Sequence, residues 1–146
     1  MDRNTFIKTC GLACLGGLGA GLPACGSIRR VRGDIDLDDL VLPLDQFESR
    51  KGGNTVFKDA LIVYHEILKY PVCVYRITDR EYRALWMRCT HQGTELQVFG
   101  DRLQCPAHGS EFDSSGMVRN GPAAEKLRTF PVDIENNQLK ISLKRI

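Results

Sequence analysis

Two short segments limit the folds open to this chain more than any other feature: CTHQG at Cys89 to Gly93 and CPAHGS at Cys105 to Ser110. Each offers one thiol and one imidazole, spaced C-x-H for Cys89 and His91 and C-x-x-H for Cys105 and His108. The whole chain has only 3 histidines and 6 cysteines, so two mixed pairs at ligand spacing are not a chance scatter. If the pairs work together, the fold must bring two loops side by side. Regular alternation of apolar and polar residues breaks down between Met87 and Asp113, as two loops require.

Outside that stretch the pattern is one of short β runs broken by Gly, Pro and Asn, with no long amphipathic helix. The fold class is all-β. Strands are predicted at Ile35 to Leu37, Val56 to Phe57, Leu61 to Tyr64, Val72 to Ile77 and Tyr82 to Met87, with turns at Gly52 to Asn54 and Thr78 to Arg80. The clearest hairpin is C-terminal: Phe130, Val132 and Ile134, then Leu139, Ile141 and Leu143, put apolar residues on one face, with Asn136 and Asn137 at the turn. Cys73 reads as a small buried strand residue. His65 and Trp86 read as strand residues with packing or surface roles. DIDLDD from Asp34 mimics a calcium loop but holds Asp39 where glycine is needed and Asp45 where glutamate is needed, so calcium is rejected.

Two thiolates and two imidazoles suit either one tetrahedral zinc or a two-iron cluster with histidine on one iron. Zinc knuckles usually pair like ligands within one turn, whereas each turn here is mixed. A mixed turn can aim its cysteine at one iron and its histidine at the next.

These residues resemble the Rieske family, from roughly Tyr82 to Phe130. CTHQG and CPAHGS are similar to its two cluster-binding loops, and GPA at Gly121 to Ala123 to a third, proline-containing loop that covers the cluster. The resemblance implies a Rieske-like antiparallel β-sandwich with a small cluster-binding subdomain inserted, spanning 34–146 with the loops at about 88–123. It implies one Rieske-type 2Fe-2S cluster per chain, with Cys89 and Cys105 on one iron, His91 and His108 on the other, and the Ser110 hydroxyl donating to a bridging sulfide. Family members from respiratory and photosynthetic cytochrome complexes carry an extra cysteine in each loop, joined as a disulfide. Thr94 and Ala107 stand there in this chain, and Phe112 stands where those members have tyrosine.

Two neutral imidazoles leave such a cluster less negative than one held by four cysteines, which is why Rieske potentials as a class run from roughly −150 to +300 mV against about −400 mV for plant-type ferredoxins. With Ser110 present and the Phe112 hydroxyl missing, a middling potential is expected.

The N-terminus suggests a compartment. Residues 9 to 22, TCGLACLGGLGAGL, follow Arg3 and Lys8 and end in LPAC at Leu22 to Cys25, which is the layout of a signal peptide. LPACGS resembles the lipobox of bacterial lipoproteins, implying a signal peptide at 1–24, lipidation of Cys25 and a linker at 25–33. DRNTFIK also looks like a twin-arginine export motif with Asn4 in place of the second arginine. The expected location is the extracytoplasmic, periplasmic side of a bacterial membrane, held by the lipid anchor.

Function classes narrow by counting. With 20 Lys+Arg against 18 Asp+Glu the net charge is +2, and no basic run is present, so nucleic acid is not an expected partner. A Rieske oxygenase needs a second iron held by two histidines and a carboxylate, and only His65 is left over. The reading is therefore a membrane-anchored one-electron carrier, or an electron-transfer subunit of an extracytoplasmic oxidoreductase. It is not an enzyme on its own. Its partners would be a redox donor and acceptor, such as a cytochrome or an oxidoreductase catalytic subunit. The alternatives are the Rieske subunit of a quinol-oxidising cytochrome bc-type complex and a structural zinc domain.

Overall fold

The computed structural model describes residues 28–144; the leader at 1–24 and Cys25 lie outside the described residues. The described residues form short strands, with one 3-10 turn at Leu44–Phe47 among them. A five-stranded sheet forms the centre, in the order β1 (Arg29–Arg32), β6 (Ala60–Tyr64), β7 (Val72–Arg76), β8 (Tyr82–Trp86) and β13 (Thr129–Phe130). A four-stranded sheet of β14 (Val132–Glu135), β15 (Gln138–Ser142), β3 (Asp39–Pro43) and β2 (Asp34–Asp36) packs on one side. A smaller antiparallel sheet carries the loops of interest, in the order β12 (Val118–Asn120), β11 (Glu111–Asp113), β10 (Arg102–Gln104) and β9 (Gln97–Phe99). β4 (Glu48–Lys51) and β5 (Asn54–Phe57) form a separate hairpin.

The central sheet is buried on both faces. Leu61 and Val63 of β6 and Val72 and Val74 of β7 join Leu40, Leu42, Leu139 and Ile141 in one core between the two larger sheets. Their neighbours Ala60, Ile62, Cys73 and Tyr75 point the other way, into a second core shared with Leu103, Phe112 and Leu127 near the small sheet. That is why VCVY in β7 shows no apolar–polar alternation: neither face meets water. Each such side chain removed from water contributes roughly 1.5–3 kcal/mol, and the second core seats the small sheet on the first.

Several expectations are corrected. Residues 25–33 were expected to be a linker, yet Arg29–Arg32 form an edge strand pairing parallel with β6, the one parallel pairing among the described strands. Val31 turns inward, while Arg29 donates to the Gln46 carbonyl at 3.1 Å and Arg32 meets Glu66 at 3.0 Å. The three arginines mask a strand whose inward residue is a single valine. Leu37 sits in the turn after β2 with φ of 55° and is 92% exposed; only Ile35 of that pair is partly buried. Phe130 belongs to the central sheet, opposite Ala84, so the C-terminal hairpin begins at Val132. Asn136 and Asn137 take φ of 50° and 61°, the conformation a two-residue hairpin turn demands, and Ile134 beside them is exposed. His65 follows β6, where its Nδ1 accepts the Ile67 amide.

Candidate metal centre

The two Cys/His loops leave the protein by the same backbone device. Loop 1 joins β8 to β9 and loop 2 joins β10 to β11. In loop 1 the Cys89 amide donates to the Thr94 carbonyl and the Gly93 amide to the Cys89 carbonyl, both at 2.8 Å. In loop 2 the Cys105 amide donates to the Ser110 carbonyl at 2.8 Å and the Gly109 amide to the Cys105 carbonyl at 3.0 Å. Each loop is thus a six-residue turn closed in the same register, with glycine fifth. Gly93 and Gly109 take φ of 75° and 77°, a left-handed conformation that costs any residue with a Cβ. Both glycine carbonyls accept a side-chain donor, Tyr70 Oη at 2.5 Å for Gly93 and Asn120 Nδ2 at 3.1 Å for Gly109.

A third loop closes over them. It follows β12, contains the cis Gly121–Pro122 bond, and returns the Ala123 amide to Ser110 Oγ at 3.0 Å. Thr90 of loop 1 donates to the Glu125 carbonyl at 2.7 Å. The three loops are therefore cross-linked by side chains of the first two.

Within this frame the four donors stand as two unlike pairs. Cys89 and Cys105 are 1% and 2% exposed, at the end of the second core. Burial pushes the Cys105 thiol up, but the amides of His108 and Ala107 and the side chains of Cys89 and Thr94 hold it below the usual thiol value. His91 and His108 stand outside the core, both exposed, with ring centres 5.0 Å apart and planes at 85°. Among the described residues no three or more His, Cys, Asp or Glu converge as for one ion; thiol lies by thiol and ring by ring. A buried soft pair and an exposed nitrogen pair fit a two-metal unit whose inner end takes sulfur and whose outer end takes nitrogen.

Ser110 is fully buried, and its hydroxyl, already accepting the Ala123 amide, keeps its own hydrogen to donate.

The structure thus places Cys89, His91, Cys105, His108 and Ser110 on two neighbouring loops, while Cys25 lies outside the described residues. Sequence reading missed Thr94, whose side chain bears on the Cys105 sulfur, and Tyr70, which pins loop 1. The signals for Thr94 were its place where other family members carry a cysteine and its position one residue after Gly93, matching that of Ser110 after Gly109.

The family model for the Rieske [2Fe-2S] domain matches residues 48–131, more than half of the chain and all three loops. The chain belongs to the Rieske family. Its cofactor is accordingly a [2Fe-2S] cluster, and the paired donors are fitted to hold it. Similar sequences include the cytochrome b6-f complex iron-sulfur subunit of Prochlorococcus marinus (strain NATL1A), 39% identical over 56 residues, which are 37% of this chain and 32% of that protein. The ubiquinol-cytochrome c reductase iron-sulfur subunit of Blastochloris viridis is 38% identical over 65 residues, 42% of this chain and 36% of that one. The match thus spans about a third of the length of these curated relatives. A cyanobacterial plasma membrane Rieske protein from Synechocystis PCC 6803 superposes with a TM-score of 0.50 at 28% identity, covering 57% of this chain and 86% of that one. The ferredoxin of carbazole 1,9a-dioxygenase from Nocardioides aromaticivorans IC177 shares the fold, with a TM-score of 0.51 at 23% identity over 71% of this chain and 95% of that one.

Proposed function

We propose that this Rieske protein is a one-electron carrier, tethered through lipidated Cys25 to the extracytoplasmic face of a bacterial membrane and passing electrons between a redox donor and acceptor. The observation that carries the reading is the exposure gradient across the site, from Cys89 and Cys105 in the core to His91 and His108 at the tip. When bound, the cluster supplies a single reversible electron. His91 and His108 would hold it on the exposed side toward a partner, and the amides of Ala107 and His108 beside Cys105 would offset negative charge on the sulfur side. His65, the remaining histidine, is engaged in its own turn, facing Glu66 at 3.6 Å. No helix among the described residues is long and apolar enough to cross a membrane.

The test has two parts. Dithionite-reduced protein should give the low-g EPR signal of a Rieske centre and a reversible one-electron voltammetric wave; zinc without acid-labile sulfur would end the reading. Labelling with a fatty-acid analogue should be lost in Cys25→Ala, and unlabelled wild type in the producing bacterium would remove the anchor. A second reading, a subunit of a quinol-oxidising complex, is favoured by the names of its relatives in sequence. Thr94, Ala107 and Phe112 stand against it, and co-purification with a cytochrome b would support it.

A further inference from the structure

Beside loop 1 the surface opens into a groove of about 550 Å³. Trp86, the only tryptophan in the chain, forms one wall, and Arg88, Thr90 and the segment Glu125 to Arg128 complete the lining. Glu125 is the single acid among them, so three cations face one carboxylate. Arg88 and Arg128 hold their guanidinium carbons 5.8 and 5.7 Å from the Trp86 ring centre, within the range where a cation is drawn to an indole face.

Arg128 is fixed by donating to the Leu143 and Lys144 carbonyls at 3.2 and 3.3 Å. Arg88 and Lys126 form no ion pair among the described residues. Behind the groove Tyr70 meets the Trp86 ring edge-on at 5.5 Å and donates to Gly93. The wall is therefore braced against the loop that carries His91, and Thr90 on the rim is its chain neighbour.

Resting on the carrier reading above, we propose that this groove is a docking site for the acidic face of the protein that exchanges electrons with the centre. Carboxylates of that partner would lie between Arg88 and Lys126, and an apolar side chain would cover Trp86. Charge complementarity decides the chemistry of the occupant. Trp and Arg are the side chains on which binding energy concentrates, and unpaired rim cations steer an acidic surface to the site. Docked there, a partner stands one residue from the exposed imidazole of His91.

Trp86 also reports on its own groove. Holoprotein at low ionic strength is titrated with poly-L-glutamate, with poly-L-lysine, and with phosphatidylcholine vesicles containing phosphatidylglycerol, reading tryptophan emission. Poly-glutamate should shift the emission, added salt should reverse the shift, and poly-lysine should do nothing. Arg88→Gln with Lys126→Gln should weaken poly-glutamate binding by about tenfold, while the equal charge loss Arg50→Gln with Lys51→Gln on the β4–β5 hairpin should not. Because Arg88 packs near Gly93, Lys126→Gln is also measured alone, and every variant must keep the wild-type EPR spectrum.

Stopped-flow oxidation of the reduced protein adds a kinetic arm: ferricyanide should slow in the groove variant, and tris(phenanthroline)cobalt(III) should not. Equal poly-glutamate affinity in wild type and the groove variants overturns the proposal. So does a response to the vesicles alone, which would assign the groove to lipid. Protein lacking the reduced-cluster signal would instead count against the carrier reading, and with it this one.

Discussion

Ser110→Ala separates two roles that one hydroxyl plays. Ser110 Oγ accepts the buried Ala123 amide at 3.0 Å, which leaves its own hydrogen free to donate. Deleting the oxygen strips the amide of its acceptor, and a buried donor left unpaired costs about 1–3 kcal/mol of stability. Deleting the hydrogen removes a donor from the centre. A hydrogen bond to a charged acceptor is worth about 1.5–3 kcal/mol, but only the part gained on reduction moves the potential. Taking about half of it, about 0.75–1.5 kcal/mol, and the one-electron equivalence of about 59 mV per tenfold change in equilibrium constant, the potential should fall by about 30–65 mV. The sign follows because a donor favours the more negative, reduced state.

Protein-film voltammetry reads the potential and a denaturant titration reads the stability, so the two effects are scored apart. A stability loss at unchanged potential would mean that Ser110 only caps the third loop, and the argument from its free hydrogen would be wrong. Loss of both in proportion across Ser110→Ala and Ser110→Gly would support it.

Three further outcomes are expected. The hydrogen bond from Arg32 holds the Glu66 carboxyl at about 2 against an ordinary 4.5, so the stabilisation from this pair is fully present above the ordinary value and is lost as pH falls toward 2; an NMR titration of Glu66 near the ordinary value in wild type, with no rise in Arg32→Gln, would show that the pair does not persist in solution. In Gly33→Ala the new Cβ would lie 2.6 Å from Leu40 Cδ1 and 2.9 Å from Val63 Cγ1, and overpacking of that order should cost about 1–3 kcal/mol by chemical denaturation; a variant as stable as wild type would mean that β1 moves freely at the sheet edge. Burial pushes the Cys73 thiol up to about 12, so iodoacetamide at mildly alkaline pH should spare it in native holoprotein and label it in denaturant, and native-state labelling would place β7 among the segments that open readily.

What could be read in the sequence follows the length scale of the pattern. Strands β6, β7 and β8 run five residues each and showed as runs of strand-forming residues, and the Asn136–Asn137 turn announced its hairpin by residue type. Strands β9 to β12 are three residues each, too short for a period of two to repeat, so the small sheet was visible only as a gap in the pattern. β1 was hidden differently, since its one inward side chain sits among arginines whose charges suggested a linker. The donors themselves were legible because thiols and imidazoles are rare in this chain, whereas Thr94 and Tyr70 act through common hydroxyls that carry no signature until the chain is folded.

The parallel between the loops explains why unequal spacings still produce a matched site. Measured from each cysteine, glycine falls fifth and a hydroxyl residue sixth in both loops, so the turns have the same frame although histidine is third in one and fourth in the other. Because the frame is set by backbone bonds and by glycines with φ near 75°, the two cysteines share one depth at the core edge. The one-residue offset between the histidines then allows their rings to meet edge to face at 5.0 Å. On this reasoning, moving the loop 2 histidine by one residue, Ala107→His with His108→Ala, keeps the frame and both thiols but breaks the pairing of the rings. Such a chain should fold with near wild-type stability yet lose the low-g EPR signal. Retention of that signal at full occupancy would show that the frame does not dictate where the imidazoles stand.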